Sequence, residues 1–109
     1  MNVAQLIETG YFDVQHRASD LSGEITDVFC CDLLSIAMAK GIPGAAFVTV
    51  MGNVNALAVL RLTDMRLLVL AEGIGPDEAT LKKAKDEDIT ILSSREGIFP
   101  CAQFIHERL

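Results

Sequence analysis

The sequence predicts a three-layer α/β domain with a mostly parallel central sheet flanked by helices, and three observations carry that reading. Short apolar runs without alternation, at 45–50, 67–70 and 89–92, have the composition of strands covered on both faces. They begin about 22 residues apart, which leaves room for one helix and two short loops between neighbours. The intervening segments carry helix start and stop signals, so the strand–helix–strand order implies parallel pairing through right-handed crossovers. No Ser/Gly-rich linker interrupts the 109 residues, and 1-109 reads as a single domain.

The elements follow in order. Asn2 can cap a short helix to about Glu8 that Gly10 ends, and Tyr11 to His16 alternates loosely as a strand. Ser19 to Gly23 is a turn. Ile25 to Cys31 is a second strand, and Asp32 is placed to cap a helix over 33–40 that Gly41-Ile42-Pro43-Gly44 stops. After the strand at 45–50, Gly52-Asn53 leads into a helix over 54–63. After the strand at 67–70, Asp77 caps a helix over 78–87. The strand at 89–92 precedes a last helix from about Gly97 to His106, capped by Ser93 or Ser94, with Pro100 in its first turn.

Composition excludes several partners. The chain carries 15 acidic and 9 basic residues, a formal charge of −6, and no basic run. Lys82, Lys83 and Lys85 are followed at once by Asp86, Glu87 and Asp88, the pattern of a solvated helix face. Nucleic acid and anionic membrane surfaces are therefore not expected partners. The first residues show no basic region followed by an apolar run, no stretch approaches a bilayer span, and three cysteines fit free thiols. A cytoplasmic location is expected.

Two helices lack a polar side. Leu33 to Ala39 and Val54 to Leu62 are apolar nearly all round, which in so small a domain implies either a cover from outside the chain or an outer face of small alanines that exposes little area. The expected cover is a second copy near a two-fold axis, with Leu33, Leu34, Met38, Val54, Leu57, Leu60 and Arg61 as interface residues.

The segment Gly23-Glu24-Ile25-Thr26-Asp27-Val28-Phe29-Cys30-Cys31-Asp32-Leu33-Leu34-Ser35 resembles the opening of the DRTGG domain, where a Thr-Gly-Gly turn precedes a strand running into Asp-Leu-Leu-Ser. The stretch Asn53-Val54-Asn55-Ala56, the run Leu68-Val69-Leu70-Ala71-Glu72-Gly73, the turn Pro76-Asp77-Glu78 and the close Ile89-Thr90-Ile91-Leu92-Ser93 are similar too. Thr26 is kept, while Asp27 and Val28 stand where the family has two glycines. The resemblance spans about residues 3 to 107. It implies a non-catalytic regulatory or dimerising module, of the kind found beside HPr kinase domains, in phosphotransacetylases and in CBS-domain pyrophosphatases, with a homodimer or a partner enzyme as its association.

Chemistry is sparse in the residues themselves. In an open parallel sheet, ligands sit beyond the carboxyl ends of the strands. Three such loops supply the candidate ligand-binding residues: Gly52 and Asn53; Glu72, Gly73, Gly75 and Asp77; Ser93, Ser94 and Arg95. Each leads into a helix start, whose free N–H groups either are satisfied by the loops' own caps and turns or favour a phosphate-bearing small molecule or nucleotide. Gly73-Ile74-Gly75 lacks the third glycine of a dinucleotide fingerprint, and no Walker motif occurs. Cys30, Cys31 and Cys101 read as small buried hydrophobes without metal spacing. His16 and His106 sit beside no nucleophile motif. No catalytic residue, metal or cofactor is expected, and the chain reads as not an enzyme.

Overall fold

The computed structural model describes residues Met1–Leu109. The chain runs α1 (Val3–Glu8), β1 (Asp13–His16), β2 (Asp27–Cys30), α2 (Leu34–Lys40), β3 (Ala45–Thr49), α3 (Val54–Leu62), β4 (Leu67–Leu70), α4 (Glu78–Glu87), β5 (Ile91–Ser93) and α5 (Ile98–His106). One five-stranded sheet has the order β1-β5-β4-β3-β2. Strands β2 to β5 are parallel and β1 alone is antiparallel, with its register broken between Val14 and His16.

That order fixes the layers. The three steps from β2 to β5 all move the same way across the sheet, so right-handed crossovers place α2, α3 and α4 on one face. There Ala37, Leu57, Leu60 and Ala84 pack on Phe47, Leu68, Leu70 and Ile91. Helices α1 and α5 cover the other face, with Leu6, Cys101 and Ile105 over Val48, Leu67, Val69 and Leu92. Successive residues of β3 and β5 divide between the two cores, as the two-residue strand period requires. Beside the second core, the Phe104 ring stacks 3.9 Å from Tyr11 and carries the Arg108 guanidinium 3.5 Å away on its face. These contacts tie the last helix to the approach of β1.

Several local expectations are corrected. The first strand begins at Asp13, because Tyr11 and Phe12 turn into the aromatic cluster with Phe104. Asp32 does not cap α2. The N-cap position is Leu33 without a side-chain bond, and Asp32 instead accepts from Thr49 Oγ1 at 2.9 Å and Val50 N–H at 3.2 Å, pinning the end of β3. Neither serine caps α5, whose N-cap is Gly97. Ser93 closes β5 and its hydroxyl accepts from Gln15, while the Ser94 hydroxyl accepts from Glu96 N–H. Of the three cysteines only Cys101 is buried. Cys30 is exposed, since it ends the edge strand β2.

The apolar character of α3 also has a different cause. It is the middle helix of its layer, and α2 and α4 pack on its two sides. Leu57 and Leu60 lie inside the chain's own core and have no surface for a second copy. Val54 and Leu34 are half-buried, and Arg61 is exposed.

Candidate functional site

The carboxyl ends of the strands gather the candidate ligand-binding residues at one end of the sheet. The loops there bind one another. Asp77 N–H donates to the Gly52 carbonyl at 3.1 Å, and Thr80 Oγ1 lies 3.2 Å from the same oxygen. Glu72 N–H donates to Glu96 O at 2.8 Å, and Gly73 N–H to Ser94 O at 2.9 Å. Gly52 is needed for this closeness: a Cβ there would lie 2.6 Å from the Gly75 carbonyl oxygen. The glycine thus lets two loops touch. Gly73 has φ +73°, a backbone that other residues adopt with strain.

Two of the three helix starts are satisfied by their own side chains. Asn53 accepts from Ala56 N–H at 3.2 Å, and Asp77 accepts from Thr80 N–H at 2.8 Å and from Thr80 Oγ1 at 2.6 Å. The Thr80 hydroxyl, followed by its backbone N–H, holds the Asp77 carboxyl below its usual range. The start of α5 has no side-chain cap, but the Glu72 carboxylate lies over it, 2.9 Å from where a Gly97 Cβ would be. Arg95 is exposed beside this turn.

Opposite the Thr-Gly-Gly turn of the resembled family, Asp27 and Val28 are the first residues of β2. Neither has positive φ, so the backbone at this point makes no demand for glycine. The Asp27 carboxylate accepts from Val28 N–H at 2.8 Å and occupies a donor of the edge strand. Sequence patterning gave no sign of that contact.

Convergent chemistry is absent from this arrangement. No three metal-ligating side chains come together. His16 is half-buried on β1, where its Nδ1–H donates to Ile89 O at 2.8 Å, and His106 is exposed on α5. Partial desolvation at the exposed end of β2, then the nearby Asp32 charge, pushes the Cys30 thiol up; burial does the same for Cys101. Both thiols are thereby kept protonated and poorly nucleophilic. No helix is long and apolar enough to cross a membrane.

The geometry defines a class: a mostly parallel α/β domain with three helices on one face and two on the other. A solved structure shares the fold. It comprises the CBS and DRTGG domains of the regulatory region of a Clostridium perfringens pyrophosphatase, complexed with the activator diadenosine tetraphosphate. The TM-score is 0.74 at 14% identity, over 93% of this chain and 44% of that one, so this chain spans less than half of that regulatory region. No family model and no curated protein sequence matches the chain. The three-layer α/β fold expected from the strand spacing is the fold observed, and it is shared with a structure that includes a DRTGG domain.

Proposed function

We propose that this chain is a non-catalytic regulatory module that works by association, pairing with a second copy through the outer face of α2. The observation that carries the proposal is the exposure of Leu33 (55%), Ile36 (45%) and Met38 (43%) on one short helix and its cap. These are three of the seven large hydrophobic side chains the chain leaves in water, and they sit on an element with no acidic residue. Ile36 and Met38 flank the buried Ala37 on either side, so the apolar exposure wraps around α2, and an apolar element of this kind favours a protein surface.

Charge supports a second copy as occupant. Two chains of charge −6 repel in most orientations. Across α2 the charges are self-complementary: Asp32 precedes the helix and Lys40 ends it, both exposed. Antiparallel pairing of two α2 helices about a two-fold axis brings each Lys40 to the other copy's Asp32. The Asp27 carboxylate on the Val28 N–H blunts the neighbouring edge strand, favouring helix contact over sheet extension. Ile36→Glu should shift sedimentation to the monomer while the circular dichroism spectrum stays unchanged. Unchanged sedimentation in Ile36→Glu, with wild type dimeric, would place the interface elsewhere.

Likeness to a pyrophosphatase regulatory region adds a partner enzyme as the wider association. A second reading, a phosphate-bearing ligand or nucleotide at the strand-end loops, is favoured by the uncapped start of α5 beside Arg95. The Glu72 carboxylate would have to move for an anion to bind. Ligand at about 100 times its dissociation constant adds about 2.7 kcal/mol, so a thermal-shift panel of nucleotides and phosphometabolites tests this reading. A flat panel removes it.

A further inference from the structure

At the other end of the sheet, where β4 and β5 begin, a depression of about 350 Å³ opens to solvent. That volume is at the small end of the range of small-molecule sites, about 300–1,000 Å³. Val3, Leu60, Met65 and Ile89 lie beneath it, buried, so the surface it presents is mostly polar. Its walls carry charges of both signs: Arg61 and Arg66, and Asp20, Asp64 and Asp88. None of the five forms an ion pair, the chain's two pairs being Met1 with Glu24 and Lys83 with Glu87.

Both poles are held in place. Arg66 lies across Gly23, where an added Cβ would come 2.8 Å from its Cδ, and its Nε–H donates to Glu24 O at 2.9 Å. Its terminal nitrogens remain available. Asp88, in a left-handed turn at φ 60°, accepts from both the N–H and the hydroxyl of Ser19. The ends of α3 and α4 lead into Asp64 and Asp88, adding partial negative charge on that side.

This layout discriminates among ligands. A phosphate alone meets three carboxylates and two helix C-termini. A bare cation meets two guanidinium groups. A molecule bearing both charges a few bonds apart finds a partner for each in the polar lining.

We propose that this cavity binds a zwitterionic small molecule of the α-amino-acid class, its carboxylate on Arg66 and Arg61 and its ammonium on Asp64 and Asp88. The site is independent of the pairing surface, since no residue of α2 lines it. The test is a ¹⁵N–¹H titration of the full chain with each of the common L-amino acids at millimolar concentration. At least one should shift the amides of Gly23, Asp64, Arg66 and Ile89 saturably, and the matching amine and acid, each lacking one charge, should not. Arg66→Ala should weaken binding at least tenfold. Asp64→Asn should do so too, and asparagine tolerates the left-handed backbone at 64, so the fold is kept. No saturable shift with any amino acid, or binding unchanged in both variants, overturns the proposal.

Discussion

Single residues decide how the strand-end loops are built. Gly52 and Gly75 face each other, yet only Gly52 is confined: its Cβ would meet the Gly75 carbonyl, whereas a Cβ on Gly75 meets nothing within 4 Å. Gly52→Ala should therefore cost about 1–3 kcal/mol in urea unfolding, the range for overpacking, and Gly75→Ala should cost far less. Equal losses would mean the loops are not in contact. Asn53→Ala should cost about 1 kcal/mol through the lost cap of α3. Acid sensitivity belongs at this scale too. The hydroxyls of Ser22, Thr80 and Ser19, then their backbone N–H groups, lower the carboxyls of Asp20, Asp77 and Asp88 below the ordinary 3.8. Groups lowered in the folded state stabilise it fully above their unfolded pKa, and that stabilisation is lost as pH falls through the folded values. The urea midpoint should hold through neutrality and fall below about pH 4. Asp77→Asn should remove part of that fall, and a midpoint equally steep in the variant would contradict the assignment. Asp77 was legible as a cap because it directly precedes a helical pattern, whereas Asn53 was read as part of the turn into α3 and not as its cap. Asp32 and Ser94 have the same chemistry in the same kind of place, but tertiary partners at Thr49, Val50 and Glu96 hold their side chains, and spacing along the chain does not show partners.

Elements divide according to their neighbours. Helices α2 and α3 look alike as text, each apolar on nearly every side. In the fold α3 is flanked by α2 and α4, and its Leu57 is completely buried, while α2 is outermost in the layer beside the edge strand. Position in the layer, which follows from strand order, therefore decides what an apolar helix means. Leu57→Ala should cost about 2–5 kcal/mol of folding stability. Ile36→Ala, on the outer side of α2, should change the stability of a single copy by less than about 0.5 kcal/mol, as exposed substitutions do. Similar losses at both positions would show that α2 is as enclosed as α3. The strands at 45–50 and 67–70 were read to within a residue, because short unbroken apolar runs between polar or glycine-bearing turns have few alternatives. The first strand was read two residues too long at its start, since Tyr11 and Phe12 serve a cluster completed only by Phe104, far away in sequence.

At the scale of the whole molecule, the order β1-β5-β4-β3-β2 leaves two edges with different characters. The β1 edge is antiparallel and irregular in register. The β2 edge is bordered by the exposed residues of α2 on one face and by Phe99, 71% exposed on α5, on the other. Four of the seven exposed large hydrophobic side chains thus border one edge of an acidic chain, and that distribution is the basis of the pairing proposed. The three-layer architecture was legible because strand spacing and crossover handedness constrain it strongly. The amino-end depression was not, for it joins residues from Val3 to Thr90 that no local pattern connects. The central claim is that two copies shield each other's α2. Light scattering on the eluting peak at micromolar concentration tests it most directly: the account predicts a mass twice the 11.8 kDa of one chain, and a mass of 11.8 kDa across the concentration series would contradict it.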